Sequence, residues 1–317
     1  MKHKSFRIVC VVLSLIIFIS GIYFGYHYFF DNDVIDYGVS IGTCYIPTYH
    51  STTQKSLKTQ EDQHMNIIAI GNSDLYSAFQ PLQLWHEQKL TSAILAEANT
   101  NMRTAYYILK ESLKYQKPEL IILEVDQFFE EKELNNEQRD FKIAHQYIDE
   151  VLIHNKAVKV KNKYLKLHGY YYKDHVVQYK KQFSYMQQTK YKAQVNKHVK
   201  TYLPQFVDLA KENQCQILFV SFPSASSWSY RKHNAVQEYA QQYGIPFIDF
   251  NTDTQLTDFN WLTDSRDGGN HLNYSGAKKM TKYLGEYLKD HYQFLEHQNE
   301  KDNQKWDKEY EDFLKIL

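Results

Sequence analysis

Ser73 lies in Gly71-Asn72-Ser73-Asp74-Leu75, directly after the apolar run Ile67-Ile68-Ala69-Ile70. Near the other end of the chain, Asp267-Gly268-Gly269-Asn270-His271-Leu272-Asn273 supplies a carboxylate and an imidazole. A serine hydroxyl is a poor nucleophile until a neighbouring base takes its proton, and an imidazole is held for that task by an adjacent carboxylate. The chemistry these residue types support is acyl transfer through a serine ester, with Ser73 as nucleophile, His271 as base and Asp267 as the orienting acid. Taken alone, a serine after a strand and Gly-x also reads as an ordinary helix cap.

The order Ser, Asp, His, with the last two four positions apart, requires a fold that brings the two ends of the chain together. A parallel α/β sheet does this, because the carboxyl ends of its strands share one rim. Asn66–Ile70 reads as a first buried strand, short, apolar and bounded by Gly71. Pro81 is placed for a helix start, residues 103–116 carry apolar side chains at helical spacing, and residues 119–125 form a second strand ending at Asp126. Residues 216–220 and 245–250 read as a third and a fourth strand, separated by helices over 202–212 and 233–243, with Gly244 as a C-cap. A closing helix spans 275–289. This alternation predicts a three-layer α/β/α fold with a mostly parallel sheet.

Residues 130–200 break the rhythm. They are charged and Tyr-rich, and they read as a helical insertion that either caps the rim or makes a long crossover with a solvated face. The tract His168-Gly169-Tyr170-Tyr171-Tyr172 within them is suited either to stacking on sugars or to packing an amphipathic surface.

The N-terminus concerns address. Lys2, Lys4 and Arg7 precede a stretch from Ile8 to about Phe30 that carries no charge, and Asp31 and Asp33 follow it. A bilayer core takes roughly 20 apolar residues, and the basic flank places the N-terminus in the cytoplasm. The expectation is one transmembrane helix within 1–30, a juxtamembrane lead-in over 31–63, an extracellular domain over 64–295 and a charged helical tail over 296–317. A cleaved signal peptide is the competing reading.

Composition narrows the function classes. With 37 basic and 37 acidic residues the formal charge is zero, unlike the basic excess of a nucleic-acid binder. The 14 histidines include no His-Glu-x-x-His, and with three cysteines there is no paired-Cys motif, so no metal site and no cofactor are expected. Cys44 and Cys215 are expected outside the membrane, as two isolated thiols or as one disulfide.

Ser73 in its strand-Gly-Asn-Ser-Asp-Leu setting, with Asp267 and His271-Leu272-Asn273 near the end, resembles the first and last blocks of the SGNH, or GDSL-like, hydrolases. The resemblance covers roughly residues 66–290. The N-terminal anchor and the Asp267-to-Gly276 loop look particularly like membrane-anchored members from Gram-positive bacteria, relatives of the D-alanyl transfer protein of teichoic-acid synthesis and of polysaccharide O-acetyltransferases. Two departures stand out. The family's acid lies three positions before the histidine, where this chain has Gly268, so Asp267 takes the role from one step further away, with Asp264 as a substitute. The family's oxyanion donors, a Gly and an Asn, map nearest to Ala98-Asn99-Thr100-Asn101 and to Asp126. An ionised Asp126 cannot donate a hydrogen bond. Either it is protonated, or the oxyanion relies on the backbone N–H of Ser73 or Asp74 with Asn99 or Asn101, or the site works weakly in hydrolysis. Asn270 and Trp228, the latter in the loop after the third strand, are further candidates for substrate contact.

The resemblance implies transfer of a D-alanyl or acetyl group to or from a cell-surface polysaccharide or teichoic acid through a Ser73 acyl-enzyme, with a multi-pass membrane O-acyltransferase as partner. Esterase or deacetylase action on surface carbohydrate, and a non-catalytic surface scaffold, are the alternatives.

Overall fold

The computed structural model describes residues 64–130, 137–252, 258–295 and 299–317. The expected membrane anchor, the lead-in over 31–63 and Cys44 lie outside the described residues. Among those described, no helix is long and apolar enough to cross a membrane, and Cys215 is a free, buried thiol.

Five strands form one parallel sheet: β1 (Ile67–Gly71), β2 (Ser92–Ala96), β3 (Leu120–Glu124), β6 (Gln216–Ser221) and β7 (Phe247–Asp249), in the order β2-β1-β3-β6-β7. Every residue of β1, β2 and β3 is buried, which is why these strands read as unbroken apolar runs rather than alternating ones. β2 carries little strand signal in the sequence, because Ser92-Ala93-Ile94-Leu95-Ala96 is a short apolar run with neither β-branched enrichment nor turn residues at its start. Its partner register is nevertheless regular, from Ile67 against Ser92 to Gly71 against Ala96.

The helices fall into two groups that cover the two faces. In one, α1 (Ser73–Ala78), α2 (Pro81–Gln88), α7 (Tyr274–His291) and α8 (Glu300–Leu314) pack on each other. In the other, α3 (Met102–Ser112) packs on α4 (Glu137–Tyr147) and α5 (Lys197–Glu212). α6 (Tyr230–Tyr243) lies against β7 and ends at Gly244, whose φ of 65° supplies the left-handed cap. The result is the expected three-layer arrangement. The charged C-terminal segment is helical and docked: Trp306 and Phe313 of α8 are buried, and Trp306 packs on Trp85 of α2.

The excursion between β3 and α5 holds α4, a π-helical turn (Ile148–Ile153) and a short antiparallel hairpin of β4 (Val158–Val160) and β5 (Lys163–Leu165) that the sequence reading did not anticipate. From 166 to 196 no helix or strand forms, yet the backbone is tied at intervals along one rim. The Ile94 N–H donates to the His168 carbonyl at 2.9 Å on the edge strand, and the Tyr171 N–H donates to the Tyr76 carbonyl at 2.9 Å. Further on, the Val177 N–H donates to the Ser265 carbonyl at 2.9 Å, and the Ala193 N–H to the Arg231 carbonyl at 2.9 Å. The excursion is therefore a strap past α1 and the histidine loop. Its Tyr-rich tract divides: Tyr170 is buried, Tyr172 packs on Phe313, and Tyr171 keeps an exposed ring against Tyr76.

Candidate active site

With the hairpin set aside, the sheet order is that of a doubly wound fold whose chain reverses direction across the sheet between β1 and β3. Ligands of such sheets bind at the carboxyl ends of the strands beside that reversal. Ser73 stands there, at the first position of α1. Asn72 caps the helix, its side-chain oxygen accepting the Asp74 N–H at 2.9 Å. The turn is tight because Gly71 has no side chain: a Cβ there would lie 2.6 Å from the Cβ of Glu124. Ser73 is partly exposed, and among the described residues neither its hydroxyl nor its N–H has a hydrogen-bond partner within the structure.

Across the rim, residues 265–272 form a closed loop, bridged between Ser265 and Leu272 and by the Arg266 N–H donating to the His271 carbonyl at 3.1 Å. Gly268 and Gly269 both have positive φ, 80° and 103°. That double reversal absorbs the extra residue between acid and histidine. Asp267 Oδ2 lies 2.5 Å from His271 Nδ1, while its Oδ1 accepts the backbone N–H of His271 at 2.7 Å and of Asn270 at 3.1 Å. Partial burial pushes the Asp267 carboxyl up, but the His271 ring and backbone N–H groups, the imidazole charge and Arg266 outweigh it and hold it below the usual carboxylate value. Asp264, the alternative acid, is buried and committed elsewhere, to the Asn260 N–H, the Ser275 hydroxyl and the Lys279 ammonium. The structure thus brings Asp267 and His271 together and directs Asp264 away.

The outer nitrogen of the imidazole faces α1. His271 Nε2 is 3.9 Å from Asp74 Oδ1, so the histidine reaches the residue next to Ser73. No hydrogen bond joins Ser73 to His271 among the described residues. Asp74 is buried, and its Oδ2 accepts the Ser227 hydroxyl at 3.0 Å. Burial first, and then the charge on Asp126, push the Asp74 carboxyl up to about 7, against the pull of His271, Ser227 and Lys232.

The oxyanion candidates separate clearly. Asp126 is a salt-bridge partner: the Lys232 ammonium donates to its Oδ1 at 2.6 Å, so it accepts rather than donates and is no oxyanion donor. The Asp74 N–H is committed to the Asn72 side chain. Asn101 caps α3, its side-chain oxygen accepting the Arg103 N–H at 3.0 Å and the Thr104 N–H at 3.4 Å. Half-buried Asn99 adopts a left-handed backbone, φ 58°, next to Thr100, whose hydroxyl donates to the Gly71 carbonyl at 3.2 Å. Among the described residues the Ser73 N–H has no partner and is open to a developing oxyanion, and Asn101 keeps its side-chain N–H donors besides the oxygen that caps α3.

Trp228 does not present a sugar platform. It is buried, with its ring edge-on to Phe129 and its indole N–H donating to Asp249 at 3.0 Å. Asn270 joins the two site loops: its carbonyl accepts the Ser224 hydroxyl at 2.7 Å, its side-chain oxygen accepts the Ser226 hydroxyl, and its amide nitrogen lies 3.0 Å from His271 Nδ1.

Glu124, Lys232 and Ser227 were not singled out from the sequence. Glu124 is fully buried at the end of β3 and accepts the Asp126 N–H at 2.7 Å and the Asn72 N–H at 3.5 Å. Burial, then the charges on Asp126 and Asp74, hold its carboxyl well above the usual range. A glutamate closing an otherwise apolar strand was the one sequence signal available for it. No group of residues able to hold a metal ion occurs among the described residues.

No family model matches the chain, and no curated protein does. Among solved structures it is similar to a lipolytic protein of the G-D-S-L family from Desulfitobacterium hafniense, at 13% identity over 70% of this chain and 98% of that one, with a TM-score of 0.41. It is also similar to an acylhydrolase from Bacteroides fragilis, at 12% identity over 75% and 93%, TM-score 0.39. A third is a GDSL-like lipase from Bacteroides thetaiotaomicron, at 10% identity over 76% and 92%, TM-score 0.35. Likeness at this level leaves function to the geometry of the site itself.

Proposed function

We propose that the chain is a serine-dependent acyl-ester enzyme of SGNH type, transferring an acyl group to or from a hydroxyl of a cell-surface polymer. The observation that carries this reading is the Asp267–His271 pair, 2.5 Å apart, whose imidazole reaches the residue beside Ser73 at the carboxyl rim. The motif resemblance of Gly71-Asn72-Ser73 and of Asp267 with His271 supports it.

Ser73 Oγ attacks the ester carbonyl while His271 Nε2 takes its proton, and Asp267 holds the imidazolium by Nδ1. The oxyanion forms toward the Ser73 N–H and the side-chain N–H donors of Asn101. His271 then returns the proton to the departing alkoxide, leaving the acyl group on Ser73. An acceptor hydroxyl enters, gives its proton to His271 and takes the acyl group; with water as acceptor the same steps give hydrolysis. Transfer in this reading requires the acceptor hydroxyl to outcompete water for the acyl-enzyme, since both pass through the same oxyanion.

The acyl group in this account is D-alanyl or acetyl, and the acceptor a surface polysaccharide or teichoic acid. With residues 1–30 as an anchor, the domain stands outside the membrane. Activated acyl donors are made in the cytoplasm, so a multi-pass membrane O-acyltransferase would supply it. The test is turnover of p-nitrophenyl acetate by the full-length chain, with and without glycerol. Acetyl-glycerol formation that falls at least about 10³-fold in Ser73→Ala supports the proposal; turnover equal in the two chains contradicts it, and a rapid hydrolysis that glycerol does not divert would make the enzyme an esterase.

A further inference from the structure

At the outer nitrogen of His271, where a serine nucleophile needs its base, stands a carboxylate. Asp74 is the second residue of α1, its N–H is already taken by Asn72, and its Oδ2 is taken by Ser227. The remaining oxygen, Oδ1, faces His271 Nε2 at 3.9 Å, a charge contact rather than a hydrogen bond. On the other side of the ring Asp267 holds Nδ1 at 2.5 Å. The imidazole therefore sits between two carboxylates, one that orients it and one that meets the nitrogen Ser73 must use.

We propose that Asp74 is a positioning residue that competes with Ser73 for His271 Nε2: Asp74 and His271 hold one proton between them, and the base is released to Ser73 only when that proton leaves the pair. The inference rests on the catalytic reading of Ser73 and His271. While the shared proton sits on Nε2, that nitrogen has no lone pair for the serine. When the proton departs, Nε2 becomes an acceptor for the Ser73 hydroxyl, which has no hydrogen-bond partner among the described residues; the Asn270 amide nitrogen, 3.0 Å from Nδ1 and 3.3 Å from Nε2, lies over the ring and leaves the Nε2 lone pair open.

The surroundings of Asp74 make it a suitable proton partner. From the end of β3, Asp126 and Glu124 face it; from α6, Lys232; from the loop after β6, Ser227; and from the histidine loop, His271. From the strap, the buried Tyr185 hydroxyl also feels the Asp74 charge, and around His271 itself the charged groups in contact are Asp267 and Asp74. Two carboxylates against one ammonium raise the cost of an isolated charge on Asp74, which also rises toward 7 through burial. A protonatable imidazole beside it relieves that cost, and the coupling is reciprocal: each group's proton affinity depends on the other.

The test uses the full chain labelled with ¹³C-aspartate, following the Asp74 carboxyl signal with pH. That signal is assigned with whichever of Asp74→Asn and Asp74→Glu folds. In His271→Gln, which removes the cationic partner, the Asp74 transition is expected to move up by about one pH unit. In Asp74→Asn, the acid limb of Ser73 labelling by a fluorophosphonate is expected to move down by about one unit, because the imidazole then gives up its proton more readily. An Asp74 transition that is the same with and without His271 overturns the proposal, whatever the labelling shows. Coupled carboxyl titration in a wild-type chain that no fluorophosphonate labels at any pH would keep the proton pairing and remove the catalytic reading instead.

Discussion

At the scale of single residues, the site is a competition among charges. Asp267 and His271 form a pair whose geometry is set by two glycines of positive φ, and its loss has a calculable effect. Asp267→Asn keeps the shape but leaves Nδ1 without an anionic partner, so turnover is expected to fall about 10³–10⁴-fold with little change in KM, measured on the acetyl ester. The carboxylates on the other side act on stability. Asp74 has a folded value of about 7 against an ordinary 3.8, so the stabilisation it gives as a neutral acid is fully present below 3.8 and is lost as pH rises through about 7. Glu124 contributes in the same direction. Asp267 works oppositely, its contribution being present above 3.8 and lost as pH falls through its depressed value. Denaturant unfolding of the wild type between pH 4 and 8 is expected to show a decline of up to roughly 4 kcal/mol attributable to Asp74, and that decline should be absent in Asp74→Asn.

At the scale of elements, the positions of Ser73 and His271 depend on close backbone approach. A Cβ at Gly269 would lie 2.8 Å from the Tyr179 ring, and the φ of 103° disfavours any side chain there. Gly269→Ala is expected to cost about 1–3 kcal/mol in unfolding free energy and to abolish serine labelling under conditions where the chain is still folded by circular dichroism. The strap over 166–196 supplies Tyr179, Val177 and Tyr171 to this rim. That is where sequence and structure part. Ser73, His271 and Asp267 were legible as candidates because their motifs are contiguous and flanked by an apolar strand or by glycines, and the strands at 66–70, 119–125, 216–220 and 245–250 because they are short apolar runs. β2 was missed because alanine and serine carry no strand signal. Asp126 as a donor and Trp228 as a platform failed for one reason: their partners, Lys232 and Asp249, come from elements far along the chain, and no local pattern announces them. Glu124 was hidden in an apolar strand.

At the scale of the whole described domain, the C-terminal helix α8 docks on elements from its first half. α8 closes the α2 side of the sheet, where Trp306 stacks on His168 at 3.9 Å and packs on Trp85, and the Asp307 carboxylate accepts the Trp85 indole N–H and the Lys89 ammonium, each at 2.8 Å. Glu309 approaches the buried His168 ring at 2.7 Å. Trp306→Ala is expected to destabilise the described domain by about 3–5 kcal/mol, read as a lowered thermal midpoint, while the rate of serine labelling per folded molecule stays unchanged because α8 does not border Ser73. The carboxyl rim of the parallel sheet carries Ser73 and faces the Asp267–His271 pair, and in the proposed function Ser73 is activated there by His271, held by Asp267. The most direct measurement is treatment of the full-length chain with a fluorophosphonate followed by peptide mass spectrometry, with Ser73→Ala and His271→Ala alongside. The account predicts a single adduct on Ser73 in the unmodified chain and none in either variant; an unlabelled Ser73 in a folded chain, or an adduct that persists in His271→Ala at the same rate, would contradict it.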